Sequence, residues 1–550
     1  MILSEYLWIV IVAFTFAFAY AFGIGANDVA NAFATVVASK SLTLKQAVLV
    51  AAIFEFAGAL LLGASVTNTV RNKIFDVDLY EDEPEILLLG MFSALITGTI
   101  MLLGATYFAL PVSTTHTIIG SIMGFSIVAK GFDSINWDVI TKIFISWVAS
   151  PVCTGIVSFC AFGAIKKLVL EKEACFERAY YTFPIILTIT VGINVFYVMF
   201  KGMNNFDFTD ELPWYVALLS GLGVGFLVGL VWIFAWGPWA KARIEKYMAA
   251  QEEAENAQAT KKLVTKAPVK ESVCEEIDVD DYYDKCQARK NGDVVDEEAH
   301  EKLDPTEVII EASDASDIQE IGTAVPEEDG GFWHQLGKRT YNQDLQFESF
   351  QESGRAKEIW DAQEHFDPKA EQLFTYVQVF TSCMDAFAHG ANDVANAIAP
   401  LSAILLLYQT GAIESKAPVP KWILAYGGVG IVLGLLLYGY KVIKSIGYKM
   451  TPISPSRGSM AELSSALFVV TASFLAIPVS STQSQVGAVA GVGLVGGVKN
   501  VQWMFFFKVC LSWAVVFFSA CILSAAIFSM FAYTPSLVTS TKDLVNATRF

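Results

Sequence analysis

Runs of apolar residues, separated by short polar stretches, repeat along most of this chain, and their length sets the first expectation. Segments of about 18–25 apolar residues suit helices crossing a hydrocarbon core of about 30 Å. Such segments lie near 5–24, 44–66, 86–110, 117–130, 138–163, 181–200 and 213–236, and again near 374–400, 422–440, 461–477, 484–498 and 503–533. Two of them, 117–130 and 484–498, are short and suit re-entrant helices. The pattern predicts an all-α integral membrane protein of about 12 transmembrane helices. The first segment carries Glu5 and no basic flank, so it reads as a retained span rather than a removable leader. Gly221, Gly225 and Gly229, four apart, mark a close-packing helix face.

Composition agrees. The chain is 54% hydrophobic and 17% charged, where soluble domains run near 25% charged. A large soluble enzyme is excluded. The formal charge of −18 is localised: between Lys241 and Lys369 there are 16 Lys+Arg against 32 Asp+Glu, and elsewhere 21 against 23. A nearly neutral apolar body therefore carries one acidic insert. This divides the chain into an N-terminal membrane half (1–240), an acidic loop (241–370) and a C-terminal membrane half (371–550). The loop has the composition of a largely disordered segment, either a solvated linker or a docking site for regulatory partners. Phe332, Trp333, Phe347, Phe350 and Trp360 near its end suit amphipathic helices against the membrane face. No nucleic-acid partner fits this balance. The 8 cysteines contain no C-x-x-C pair and read as small apolar residues.

Basic residues near span ends orient the chain. With the N-terminus outside, Lys40, Lys45, Lys166, Lys167, Lys172, Arg178, Lys241, Arg243 and Lys246 fall inside. Arg71, Lys73, Lys130 and Lys201 then fall outside. The majority places both termini outside and the acidic loop in the cytoplasm.

An internal repeat carries the functional reading. Gly25-Ala26-Asn27-Asp28-Val29-Ala30-Asn31-Ala32 recurs as Gly390-Ala391-Asn392-Asp393-Val394-Ala395-Asn396-Ala397, shifted by 365. Pro111-Val112-Ser113-Thr114-Thr115-His116 recurs as Pro478-Val479-Ser480-Ser481-Thr482-Gln483, shifted by 367. The first motif sits on predicted spans 1 and 8, an odd number of crossings apart. The halves are thus expected to be inverted-topology repeats with broken or re-entrant helices at the midplane, an architecture that opens one site alternately to either side.

Ionisable groups within spans are costly and mark ion or substrate pathways. Asp and Asn oxygens suit a hard cation such as Na⁺. Hydroxyls and free N–H groups at a half-helix N-terminus make an anion pocket without Lys or Arg. Two such motifs, one per half, would surround a small tetrahedral oxyanion. Glu55, alone in an apolar span, reads as an ion or proton site, with structural pairing as the alternative. Glu462 reads equally as a site residue or as favourable charge near a helix start. His116 and His389 lack histidine counterparts in the other copy and are expected to pack, with a ligand role as the alternative. Arg457 either meets the anion at the inner mouth or anchors the inner face. No H-E-x-x-H, G-x-S-x-G or G-x-x-x-x-G-K-[ST] motif is present, so no enzyme is expected.

The duplicated G-A-N-D-V-A-N-A motif, with P-V-S-[ST]-T-[HQ] downstream in each half, resembles the inorganic phosphate transporter family, and within it the fungal and protist sodium-dependent symporters. Ser454-Pro455-Ser456-Arg457-Gly458, Glu462 and Glu55 share the likeness. The resemblance covers both membrane halves and implies twelve spans, outside termini, a plasma-membrane location and phosphate symport coupled to Na⁺. Coupling to H⁺, or another oxyanion such as sulfate, is the alternative. It implies phosphate binding by Asn27, Asp28, Asn31, Ser113, Thr114, Thr115, Asn392, Asp393, Asn396, Ser480, Ser481 and Thr482. Cation coupling would fall to Asp28, Asn31, Glu55, Asp393, Asn396, Glu462 and Gln483. The expected partners are inorganic phosphate, Na⁺ or H⁺ and the bilayer, with a homodimer as a further candidate. No cofactor besides the coupling ion is expected.

Overall fold

The computed structural model describes residues 6–202, 213–250, 353–413 and 417–534. Among these the only extended pairing is a single bridge, Phe75 with Ile135; everything else is helix and connection. In lipid a helix satisfies its own backbone, which is why an apolar chain resolves this way. The helices are α1 (Leu7–Ile24), α2 (Ala30–Ala38), α3 (Leu44–Asn72), α4 (Pro84–Tyr107), α5 (Thr114–Lys130), α6 (Trp137–Ile165), α7 (Cys175–Tyr197) and α8 (Trp214–Val231). After the insert come α9 (Gly354–Asp361), α10 (Pro368–Thr410), α11 (Lys421–Tyr438), α12 (Tyr440–Lys449), α13 (Pro455–Phe474), α14 (Ser481–Val495) and α15 (Trp503–Tyr533).

Among the described residues nine helical segments are long and apolar enough to cross a membrane. The three expected spans outside this set have clear physical reasons. Helices α5 and α14, of 17 and 15 residues, are the two short segments. Helix α13 has 20 residues but carries Arg457, Glu462 and a run of serines. Polarity in this protein is turned inward. Helices α6 and α15 expose Val148, Ile156, Leu511 and Ile522, while α10 is buried without interruption from Asp385 to Ile404.

The two repeat motifs take different backbone forms. The first passes through a π-helical turn, Gly25–Val29, between α1 and α2. The second runs unbroken inside α10, a helix of 43 residues. A break at the second copy is therefore not what the glycines supply. They supply close approach: a Cβ on Gly25 would lie 1.7 Å from the Ile431 carbonyl oxygen, and one on Gly390 would lie 2.1 Å from that of Glu55. Helix α11 thus packs on the first motif as α3 packs on the second.

The end of the acidic insert belongs to this body. Trp360 Nε1 on α9 donates to the Tyr448 carbonyl at 3.0 Å, and Lys166 pairs with Glu364 at 2.6 Å. Arg457 donates to Gln363 Oε1 and to the Glu364 carbonyl, both at 3.0 Å, with its guanidinium over the rings of Phe162 and Phe366. Phe332, Trp333, Phe347 and Phe350 lie outside the described residues.

Candidate functional site

Two short loops bring the hydroxyl motifs to the centre. Each follows a residue in the left-handed region, Ala109 (φ 54°) and Ala476 (φ 58°), a conformation costing an L-residue about 1–2 kcal/mol. Each then ends in a serine N-cap. The Ser113 Oγ accepts from the His116 N–H and opens α5; the Ser480 Oγ accepts from the Gln483 N–H and opens α14. Both helix N-termini therefore carry hydroxyls and unspent amides at the middle of the molecule, where an anion is favoured.

The carboxylates meet these hydroxyls across the halves. Thr482 Oγ1, from the second half, donates to Asp28 Oδ1 at 2.7 Å. Thr115 Oγ1, from the first half, lies 3.4 Å from Asp393 Oδ1 and donates to the Val479 carbonyl at 2.9 Å. Thr482 approaches the Val112 carbonyl in the same manner. Between the acids sits Thr114 Oγ1, 2.5 Å from Asp28 Oδ2 and 3.3 Å from Asp393 Oδ1. Asn396 Nδ2 donates to Asp393 Oδ1 at 2.8 Å and to Thr114 Oγ1 at 3.0 Å.

Other predicted residues are spent on holding this frame. Asn27 donates to Thr106 Oγ1 and the Leu110 carbonyl and accepts from the Val112 N–H. Its amide is used at both ends, so it brackets the Pro111 loop. Asn392 Nδ2 does the same for the second loop, donating to the Val479 carbonyl at 2.7 Å, while its Oδ1 has no partner. Ser113 is taken up by its cap and by His116 Nδ1 at 2.6 Å. Left without hydrogen-bond partners are Asp393 Oδ2, Ser481 Oγ and Gln483 Oε1, all buried. The side chain of Asn31 lies outside the described residues.

The buried acids beyond this pair are not arranged symmetrically. Glu55 Oε2 lies 2.9 Å from His389 Nδ1, whose Nε2 lies 3.3 Å from Asp393 Oδ2. His389 is thus not a packing histidine: it links two carboxylates. The contact equivalence of α3 and α11 sets Glu55 opposite Ile431, so the second half holds no matching acid. Glu462 stands apart from the Asp28–Asp393 pair, accepting from Thr35, Gln378 and Thr381 at 2.6, 3.0 and 2.8 Å. Gln483 Nε2 lies 3.4 Å from His116 Nε2. The His116 ring stacks on Trp147, the packing role expected of it. Arg457, bound to the Gln363–Glu364 backbone and side chain, does not face the central acids.

Residue-type reasoning missed Asp385 and Gln378. Asp385, 3% exposed, lines a cavity of about 10 Å³ with Asp28, His389, Ser465 and Ser481, room for one water-sized particle. Asp28, His389 and Asp393 offer ligand atoms within 4.8 Å of one another, a spacing suited to one cation. The missed signal was periodic. Gln378, Thr381, Asp385, His389, Asp393 and Asn396 recur every three or four residues, one face of α10. The matching positions on α1 are Ala13, Phe16, Tyr20 and Ile24 before the shared motif.

Residues 24–524 match the family described as the phosphate transporter family. The chain is 32% identical to the sodium-dependent phosphate transporter 1-B of Danio rerio, with 96% of each covered. It is 31% identical to the sodium-dependent phosphate transporter 1 of Mus musculus, again with 96% of each covered. A solved structure described as the sodium-dependent phosphate transporter aligns with a TM-score of 0.67 and 28% identity, over 95% of this chain and 98% of its own.

Proposed function

The chain belongs to the phosphate transporter family, and on that premise we propose that it is a secondary active symporter importing inorganic phosphate, as H₂PO₄⁻, with Na⁺ by alternating access. The observation that carries this reading is the exchange of hydroxyls across the halves, Thr482 to Asp28 and Thr115 toward Asp393. A two-fold frame of this kind would suit one anion between two helix N-termini and two carboxylates.

Without cations, two carboxylates and a phosphate would repel at a few ångströms in a poorly screened interior. Na⁺ ligated by Asp28 and Asp393 removes that repulsion, so phosphate and Na⁺ bind together or not at all. Thr114, Thr115, Ser481 and Thr482 supply hydroxyls to the phosphate oxygens, while Asn27, Ser113 and Ser480 set the loops that present them. Asn392 Oδ1, Asn396, Glu55 and Glu462 offer further oxygens along a cation route on the α10 side, with His389 between its acids. The reciprocal contacts support an inverted repeat, whose rocking exchanges access. The same reading puts both termini outside, the acidic loop in the cytoplasm and the protein in the plasma membrane, with a homodimer and loop-docked regulators as candidate assemblies.

The test is uptake into proteoliposomes under Na⁺ and pH gradients imposed separately. An inward Na⁺ gradient alone is expected to drive saturable phosphate accumulation that arsenate inhibits and sulfate does not. Accumulation driven by a pH gradient alone would transfer the coupling to H⁺. Asp28→Asn and Asp393→Asn are each expected to abolish cation-dependent uptake in protein that still folds; coupled uptake retained by both would sink the site assignment.

A further inference from the structure

Away from the central acids, a groove of about 530 Å³ runs between α6 and α13, within the ~300–1,000 Å³ typical of small-molecule sites. Lys142, Ile145, Ala149 and Cys153 follow one another along its α6 wall at steps of three and four residues, one face of the helix. Leu467 and Leu475 stand on the opposite side. Ile145 and Leu475 are 61% and 57% exposed, so the groove opens outward from the bundle. Helix α6 is one of the segments long and apolar enough to cross a membrane, and hydrocarbon is what its outward face suits.

The lining excludes most other occupants. The hydroxyls of Ser146, Ser464 and Thr471 donate back to carbonyls of their own helices, Ile143, Met460 and Leu467. A polar ligand would find little to bind. The single charged lining residue is Lys142, and among the described residues it forms no ion pair, not even with Asp138 four positions earlier. It lies five residues inside Trp137, where α6 begins; an aromatic residue at a span end marks the headgroup level. From Lys142 to Val157 the α6 wall measures about 22 Å at ~1.5 Å per residue, enough to follow an alkyl chain through one leaflet of a ~30 Å core.

We propose that this groove is a binding site for an anionic lipid, one acyl chain lying along α6 and the headgroup resting on Lys142. An ammonium with a long alkyl stem at the interface, here the outer one on the orientation proposed above, and lacking a counter-ion from its own chain, attracts such a headgroup by direct charge pairing. The site also touches the transport frame. Its deep end is lined by Thr154 and Val479. Thr154 Oγ1 donates to the Ser484 carbonyl on α14, and the Val479 carbonyl receives both Asn392 and Thr115. A chain seated here packs against the backbone that joins the two motifs.

Cys153 reports on occupancy, with Cys160, also exposed on α6 but outside the groove, as the internal control. Full-length protein in neutral detergent is labelled with a maleimide, with and without added phosphatidylglycerol or phosphatidylcholine of the same chains, and each cysteine is followed by mass spectrometry. Phosphatidylglycerol is expected to slow Cys153 labelling about fivefold more than phosphatidylcholine, as one headgroup–lysine contact implies, with Cys160 unchanged. Lys142→Gln is expected to erase the difference between the lipids, and Ala149→Phe, which fills the groove, to make Cys153 insensitive to both. Equal protection by the two lipids in the unaltered protein, or none, overturns the proposal. Protection that needs no lipid and rises with protein concentration would also overturn it, by placing a second copy of the chain in the groove.

Discussion

At the scale of single residues, the problem this protein solves is how to keep carboxylates buried within a membrane. Each central acid receives hydroxyls from the opposite half, so neither half is complete alone. Thr482→Val keeps the shape and removes the hydroxyl that serves Asp28 at 2.7 Å. A hydrogen bond to a charged group contributes roughly 1.5–3 kcal/mol. The initial rate of phosphate uptake in proteoliposomes is therefore expected to fall by at least about tenfold, with Thr482→Ser restoring most of it. Glu462 lies away from this pair, among Thr35, Gln378 and Thr381. For Glu462→Gln, the Na⁺ concentration giving half-maximal uptake should rise severalfold while KM for phosphate at saturating Na⁺ stays nearly constant; the reverse pattern would place Glu462 on the anion. The repeated part of this site was legible in sequence because each element occurs twice at nearly the same offset, 365 and 367. Asp385, Gln378 and the linking role of His389 were not, because symmetry hides what only one half possesses. His389 stands where the first half has Ile24, and pairing the copies made it look dispensable.

At the scale of helices, backbone contact holds the frame. Gly25 and Gly434 let α1 and α11 meet; Gly58 and Gly390 do the same for α3 and α10. A Cβ at Gly434 would lie 1.8 Å from the Phe22 carbonyl oxygen, whereas one at Gly104 meets nothing within 4 Å. Overpacking of this kind costs about 1–3 kcal/mol. Gly434→Ala is thus expected to lower the unfolding temperature in detergent by several degrees and Gly104→Ala to leave it unchanged, as read by thermal-shift fluorescence. Apolar run length located the nine segments long and apolar enough to cross a membrane, since hydrocarbon thickness fixes it. It could not tell that the second motif lies within one continuous helix, because Gly and Ala permit a break as readily as a close approach. Nor could it find α9, whose eight residues bury Ile359 and place Trp360 against Tyr448. Arg457 fastens the chain just after α9. With Arg457→Ala, hydrogen exchange in 354–367 is expected to accelerate at least about tenfold, the loss of a charged hydrogen bond, while α10 beyond Asp385 keeps its protection.

At the scale of the molecule, nearly all the net charge sits in the insert, while the transport frame rests on a few buried acids. Charges separated by more than a Debye length, about 8 Å at physiological salt, are largely screened from one another where water intervenes. The insert's acids and the central carboxylates should therefore act independently, and the part of the insert that matters to the body is the part that touches it. Among the described residues that part includes Lys241, paired with Glu177, and Trp360, Gln363, Glu364 and Phe366, joined to Tyr448, Lys166, Arg457 and Phe162. Deleting 251–340 and closing the gap with a flexible Gly/Ser linker is expected to leave Na⁺-driven phosphate uptake within about twofold of the full chain, because the deletion leaves every contact named here in place. Extending the deletion through Asp367 removes the partners of Arg457 and Lys166. It removes the hydrogen bonds of a guanidinium that the intact chain keeps 5% exposed, at a cost of about 1–3 kcal/mol. The longer deletion should unfold at lower temperature in detergent and lose uptake in proportion to folded protein. Equal uptake per folded molecule in the two variants would confine the docked segment to stability; a further loss per molecule would give it a part in the access change itself.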